Sequence, residues 1–551
     1  MRKKTKNSQY FFLILTYFII IIFALLTFGD VGIHIEEKFH RINGLYWLNY
    51  ISQIFNFEKL TLITDLKMKE VDDYTLSSIT NYKKYGIIFD LPVALLEILF
   101  DIEKIENIYL IKHFLSFLIF LISSFFFYLI LIDRFNDFFL SFSGTLLFIT
   151  TPRIFGDSFF YKDILFLSFF TIALYFFLKT LNNFNIKNIL FFSLFTAISF
   201  NLRIFGIFLP ISFLFLIIIK NFTNRNIYYY LKYYFSYLFV LIFLIIFFSP
   251  YLWSNPFFNF LDIFIGLKRD LIDPNVKILF NGEFVNNRNV PETYLLHWIF
   301  ITTPILIFVL FLLGYFFYLK RFVNRFINIK EKQIFYDLWR GQYEKKDFVI
   351  FFLLTSFYFT LLIFNAPFYN GWRLVYFLHI FIIYFTIYQI DYFIKLFKKN
   401  YLGKMILSFV VIVSVMHNIW CLVIYHPYQS YYFTEFISNK KKNNFEGDYH
   451  GISGKHFFLK LSSEYKGDKI KVAVASHTPL HRSLESINED LRKNFQVVGQ
   501  EYKNADFIYK NNIHEVNSNL NKKYNIPVNF AKIYELNVNG VIIYEIFKNT
   551  K

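Results

Sequence analysis

Apolar runs long enough to cross a bilayer recur along most of the chain, separated by short polar stretches. A hydrocarbon core of roughly 30 Å takes about 20 apolar residues per helix, and on that rule the pattern predicts about eleven spans. They fall near Tyr10–Phe28, Ile108–Ile132, Phe138–Thr151, Ile164–Leu178, Tyr233–Phe248, Leu295–Leu319, Phe348–Phe364, Leu374–Ile394 and Met405–Tyr425. Two more divide the run Ile189–Ile219, which breaks at "NLRIFG". The first span follows a basic "MRKKTKNSQY" with no small-residue cleavage site after it, so it reads as an uncleaved signal anchor.

The loops alternate in character. One set, "LIDRFND", "KTLNNFNIK", "KNFTNRNIYYYLK", "KRFVNRFINIKEK" and "KLFKKNYLGK", is basic and featureless, as expected on the cytoplasmic side. The other set carries the acids, prolines, glycines and tryptophans. An odd number of spans leaves the tail His426–Lys551 outside. There "KIKVAVA" predicts a strand, "SLESINEDLRKNF" an amphipathic helix, and "NFAKIYELNVNGVIIYEIF" two strands around an Asn-Gly turn. The expected architecture is therefore a membrane domain, 1–425, followed by a small α/β domain, 426–551. The long first outer loop, Asp30–Asn107, holds "YGIIFDLPVALLEILF", which Asp90, Pro92 and Glu97 interrupt, so it is expected to lie along the interface.

Composition agrees. Of 551 residues 56% are hydrophobic, with 80 Phe and 41 Tyr, which is too apolar for a soluble chain of this length. Phe, Ile, Lys, Asn and Tyr are all inflated, so single Lys and Asn residues carry little signal. The net charge of +17 is spread between spans instead of forming one patch, which favours a positive-inside bias over nucleic-acid binding. With one cysteine, Cys421, in an apolar run, neither a disulfide framework nor a cysteine-based metal site is expected to be possible. No repeat of solenoid length is visible.

Candidate chemistry gathers at the outer rim, in "HIEEKFHRINGLYWLNYI", "TTPRIFGDSFFYKD", "NLRIFG", "SPYLWSNP" and "NAPFYNGWR". A proton-coupled transporter should carry ionisable groups at the midplane, and the span interiors are almost free of them. Glu36 and His40, like Glu37 and Arg41, are four residues apart and lie on neighbouring helix faces. The pair reads either as a general base with a helper carboxylate or as two exposed acids in local salt bridges. His34, Glu36, Glu37 and His40 also offer ligands to a divalent cation, though not at zincin spacing. Arg153, Lys162, Arg203 and Arg373 fall near the same rim and together suit a phosphate or pyrophosphate; each alone suits a headgroup anchor equally well. Asp163 would orient Lys162 or act as a further acid. His297 and His379 sit in apolar spans and read as core residues.

The acidic pair soon after the first span, then "TPRIFGDSFFYKD", "NLRIFG", "SPYLWSNP", "YNGWR", "HPYQSYYF" and "FEGDYHGIS", resembles the polytopic C-type glycosyltransferases. The likeness is to the bacterial form of glycosyltransferase family 39, which includes protein O-mannosyltransferase-like enzymes and lipid A aminoarabinose transferases. It runs from about Asp30 to Gly451. It implies an inverting transfer of sugar from a polyprenyl-phosphate donor to an acceptor hydroxyl of a protein, lipid or glycan. It also implies a bacterial inner-membrane location, with the N-terminus cytoplasmic and the tail periplasmic. The family's acidic pair is Asp-Glu, its first acid the base; that role would fall on Glu36 with Glu37 as partner. The longer Glu leaves the assignment open, and Asp30 is a rival. The Lys162-Asp163 pair matches the family's Lys-Asp, but the residues before it differ. The resemblance fixes neither sugar, acceptor nor cofactor, a divalent cation being the one candidate. An O-antigen polymerase or ligase is an alternative that needs no acidic pair after the first span. A transporter or lipid flippase, or a relative that only binds glycan or lipid, are further alternatives.

Overall fold

The computed structural model describes residues 2–71, 86–160, 162–224, 227–269, 277–327, 341–465, 469–513 and 520–550. Residues 72–85 of the first outer loop and parts of two expected inner loops, 225–226 and 328–340, lie outside that set. Every expected span but Leu295–Leu319 coincides with a helix. Among the described residues eight helices are long and apolar enough to cross a membrane, and Phe138–Thr150, Ile186–Leu202 and Ile204–Ile219 are shorter apolar ones. The chain is a polytopic α-helical membrane protein with a small α/β unit near its C-terminus.

The break at "NLRIFG" is real. Ile186–Leu202 ends at Arg203, whose backbone is extended, and a single 3-10 turn, Ile204–Ile207, leads into Phe208–Asn224. The expected continuous span Leu295–Leu319 is instead two helices, Tyr294–Thr302 and Ile305–Ile327. Pro304 explains this: it lacks an N–H and pushes Thr303 out of the helical region, to an observed ψ of 134°.

The span Arg373–Leu396 is the centre of the bundle, 94% of its apolar window being buried, whereas the first helix is only 11% buried and presents Phe11, Ile14 and Phe18 outward. Ile305–Ile327 and Phe138–Thr150 pack on the central helix. Gly314 permits the first of these contacts, because a Cβ there would sit 2.1 Å from the Phe385 carbonyl oxygen. Arg373 thus stands at the outer end of the most enclosed helix.

The loops sort to two ends as their charges predict. At the end that carries the basic loops Arg134 makes a two-pronged pair with Asp347 (2.6 and 2.7 Å), Tyr384 donates to the same carboxylate, and Lys346 reaches Asp133 at 2.6 Å. At the opposite end the tail folds back over the helix mouths. Its sheet has the order β4-β3-β5-β7-β6, with β3 (Ile470–Val474) parallel to β4 (Phe495–Val497) and β5 (Phe507–Asn511). Strands β6 (Phe530–Val538) and β7 (Val541–Asn549) form the expected hairpin around Asn539-Gly540, both at positive φ. The expected helix "SLESINEDLRKNF" is not continuous. Extended Ile487 interrupts it, and Asn488 caps a separate turn by accepting from the Asp490 N–H. A hairpin in the outer loop before Leu295, β1 (Lys277–Phe280) with β2 (Glu283–Asn286), was not anticipated, although Asn281-Gly282 is a standard turn signal.

Candidate active site

The chain leaves the first span and runs through Val31–Glu36 before the helix Glu37–Ile54 begins. The stretch lies against the tail, where the Ile35 N–H donates to the His450 carbonyl (2.9 Å) and Arg482 donates to the Ile35 carbonyl (2.6 Å). The contact is close enough that a Cβ on Gly32 would meet the Ile452 carbonyl oxygen at 2.1 Å. This clamp sets Glu36 at the N-cap of Glu37–Ile54, where a helix N-terminus favours negative charge.

The two glutamates differ sharply. Glu37 is 2% exposed, accepts from the His34 N–H (2.9 Å), and both its oxygens lie 3.0 Å from His113 Nε2. Its charge is absorbed within the fold, tying the helix start to the span Ile105–Phe135. The Glu36 side chain is 43% exposed and pairs with Arg373 at 3.3 Å. Partial loss of hydration opposes its charge, but Arg373, with Lys162 farther off, outweighs that and holds it well below the usual carboxylate range. Neither local pair suggested by the sequence forms. His40 pairs with Asp90 (3.0 Å), and Arg41 forks onto Glu97 (2.7 and 3.0 Å), so these residues bind Asp90–Leu99 to Glu37–Ile54.

Arg373 is the hub. Its Nη1 is 3.1 Å from His34 Nε2 and its Nη2 donates to Glu36, while Nε faces Asp163 at 3.8 Å, beyond hydrogen-bond reach. The Glu36 N–H also points at His34 Nδ1 (3.0 Å), and a neutral imidazole accepts only once, so one of the two contacts to His34 is not a hydrogen bond. Burial and the neighbouring His450 keep His34 uncharged. Asp163, first residue of its span, is paired with Arg203 as well.

These charges form a partition between two spaces. On one side His34, Glu36, Glu37, His40, Asp157, Asp163, Arg373 and His450 line a narrow cleft of about 10 Å³, room for roughly one water. On the other, a cavity of about 260 Å³ has Lys162 and Arg203 on its wall and is otherwise mostly apolar, with Phe205, Leu361, Pro367, Phe368 and Tyr369 among its lining. Lys162 stands at φ 79°, ψ −69°, a strained γ-turn conformation. Burial, with Arg203 beside it, pushes its amine down to about 7.

Two expected site residues are elsewhere. Arg153 is fully buried under the rim, donating to Tyr449 Oη and the Tyr432 carbonyl between the Trp298 and Phe433 rings. Such enclosure gives it a structural part in docking the tail instead of a place among the phosphate-binding cations. Asp30, the rival base, pairs with His426 (2.9 Å) and lines neither space. Lys162, Arg203, Arg373, Asp163, His40 and the glutamates do converge. Residues the sequence did not single out are Asp157 and His450, themselves paired at 3.0 Å. Glu446 is another: burial raises it to about 7 despite nearby Arg373 and the backbone of Asn370 and Gly371. All three lie in stretches noted for their pattern, "RIFGD" and "FEGDYHG", but their partners are distant in sequence. Glu36, Asp157 and Asp163 put carboxylates on the cleft wall, but among the described residues the acids and histidines of the cleft do not gather closely enough to share a cation, and Arg373 faces two of the three.

No family model matches the chain, and no curated protein matches it. Among solved structures it is similar to the Archaeoglobus fulgidus oligosaccharyltransferase in its apo form, at 12% identity and a TM-score of 0.41, over 76% of this chain. The match spans 56% of the archaeal protein's length. It is also similar to ArnT from Cupriavidus metallidurans bound to undecaprenyl phosphate, at 10% identity and a TM-score of 0.39, over 84% of this chain and 88% of that one.

Proposed function

We propose that the chain is an inverting glycosyltransferase of the polytopic C-type, moving a sugar from a polyprenyl-phosphate donor to an acceptor hydroxyl on the periplasmic face of a bacterial inner membrane. The observation that carries this reading is the partition: one half-exposed carboxylate on a water-sized cleft, paired there with Arg373, and beyond it a mostly apolar cavity with Lys162 and Arg203 on its wall. The cavity suits the first isoprene units of a lipid, whose phosphate would meet Lys162, Arg203 and Arg373. The acceptor would enter from the cleft side, beside Glu36.

In the chemical step Glu36 takes the acceptor's hydroxyl proton as the oxygen attacks the anomeric carbon. The bond from that carbon to the phosphate oxygen breaks, and the polyprenyl phosphate leaves with the extra negative charge. Fixed cations at the departing phosphate act where charge develops, usually the larger contribution. The resting pair of Glu36 with Arg373 makes the carboxylate a poor base, since a base works best with a pKa near the working pH. A donor phosphate that draws Arg373 toward itself would free Glu36 and raise its basicity, so donor binding would precede activation. Glu37 also lines the cleft, but His113 holds both its oxygens, so its part is to position the helix start.

The test uses purified protein in detergent with a panel of radiolabelled polyprenyl-phosphate sugars, following transfer and donor hydrolysis. Glu36→Gln should lose about 10²- to 10⁴-fold in turnover with donor binding retained. Glu37→Gln should cost stability instead, about 1–3 kcal/mol for a compromised buried acceptor. Full turnover in Glu36→Gln, or no binding of any donor by folded parent protein, would sink the reading.

A further inference from the structure

A second cluster lies away from the cleft, where the last span meets the tail. His417 and Cys421 are one turn apart on Tyr401–Ile424, so their side chains share a face. Glu435 reaches them from the loop that follows. His417 Nε2 is 3.0 Å from Glu435 Oε1, Cys421 Sγ is 3.7 Å from that nitrogen, and 4.0 Å separates sulfur from the same carboxylate oxygen.

The size of this triangle is informative. With Zn–S near 2.3 Å and Zn–N and Zn–O near 2.05 Å, tetrahedral angles put nitrogen and oxygen about 3.3 Å apart and sulfur about 3.6 Å from each. The observed edges differ from those by a few tenths of an ångström, so small side-chain adjustments would admit an ion. Supporting contacts are in place. The Tyr432 hydroxyl donates to the ligating oxygen of Glu435 (3.3 Å), as outer partners of metal carboxylates do. Cys421 and Tyr432 are enclosed in an apolar cluster with Tyr425. Glu435 lies beyond the end of the span with its side chain 42% exposed, which gives an ion a way in from the rim and leaves a fourth position on that side.

We propose that His417, Cys421 and Glu435 form a binding site for a zinc-type divalent cation, with the fourth position open to water or another ligand. A thiolate, an imidazole and a carboxylate in this geometry suit zinc better than magnesium or calcium, which take oxygen ligands. Binding would release the Cys421 proton and displace the one that His417 Nε2 shares with Glu435, leaving both ligand atoms with a free lone pair. The ion would fasten the start of the tail to the last span. Counting cysteines argued against a thiolate site, and that argument holds for sites built from several thiols; a mixed set needs only one.

The experiment uses the full chain in detergent, purified without a metal-affinity resin, stripped with a chelator and titrated with cobalt(II). Cys421 is the only cysteine in 551 residues, so any sulfur-to-cobalt charge-transfer band in the near ultraviolet reports on it alone. The band should saturate at one cobalt per chain and vanish when zinc(II) is added. Cys421→Ser should abolish it, and His417→Ala or Glu435→Gln should weaken cobalt binding at least tenfold. The parent titration decides the matter even where a variant does not fold. Folded parent protein that shows no such band overturns the proposal, including protein that takes up cobalt elsewhere. So does a band whose titration is unchanged in both His417→Ala and Glu435→Gln.

Discussion

Lys162 concentrates several costs in one residue. It is placed in a strained backbone conformation, beside Arg203 and with Arg373 nearby, and is desolvated so far that its amine falls from 10.5 to about 7. Because the folded value lies below the unfolded one, the charged form is what the fold disfavours: stability is fully present above about 10.5 and lost as pH falls toward 7. A bound phosphate anion would reverse the preference by pairing with the ammonium. Donor binding should therefore take up a proton and weaken as pH rises above about 7. With a phosphodiester donor, whose own charge is constant, the dissociation constant should climb between pH 7 and 9 in the parent and stay level in Lys162→Arg. Identical pH profiles for the two would show that Lys162 does not meet the phosphate. Glu36 shows the opposite balance, a carboxylate kept ionised by a cation that substrate would compete for.

Among elements, the decisive contact is between two irregular strands of backbone, Val31–Glu36 and His450–Ile452, instead of between helices. The Ile35 N–H bond to the His450 carbonyl, the Arg482 bond to the Ile35 carbonyl and a glycine-only approach hold the carboxylate loop to the tail. Gly32→Ala forces a Cβ against a carbonyl that cannot rotate away, an overpacking change that typically costs about 1–3 kcal/mol. Limited proteolysis should cleave the tail of Gly32→Ala faster than the parent's, and turnover should fall with it. A cleavage rate equal to the parent's would mean that the loop and tail are held by other contacts, such as Lys38 with Glu485 at 3.0 Å.

Across the whole molecule the two rims differ in how they handle charge. The rim under the tail leaves Glu36 half exposed on a cleft, whereas at the opposite rim Asp347 and Arg134 close on one another. Asp347 is fully buried, forked by Arg134, touched by Arg321 at 3.4 Å and bonded by Tyr384. Removing one member of such a pair strands the other charge, at about 3–5 kcal/mol. Asp347→Leu should therefore yield little monodisperse protein, and Arg134→Met/Asp347→Leu should recover most of it, read by size-exclusion profile and thermal midpoint. A single variant as stable as the parent would show the pair to be dispensable to the assembly of the helices.

The helical membrane architecture, the span order, the sorting of loops to two ends and the Asn-Gly hairpin of the tail were legible in the sequence. Hydropathy, span length and turn chemistry are local properties, written in about 20 residues or fewer at a time. The candidate site was legible only in outline, as outer motifs rich in acids and cations. Which of them meet depends on contacts across hundreds of residues. Glu36 finds Arg373, Ile35 finds His450, and Arg153, indistinguishable by pattern from Arg203, is taken up beneath the rim by Tyr432 and Tyr449. The same holds for the two glutamates. Adjacent and chemically identical, they point in different directions from a helix start, one into His113 and the other toward a cleft. Spacing along the chain determined that both are acids at a membrane rim; only the packing of the tail and the central helix decided which stays open to a substrate.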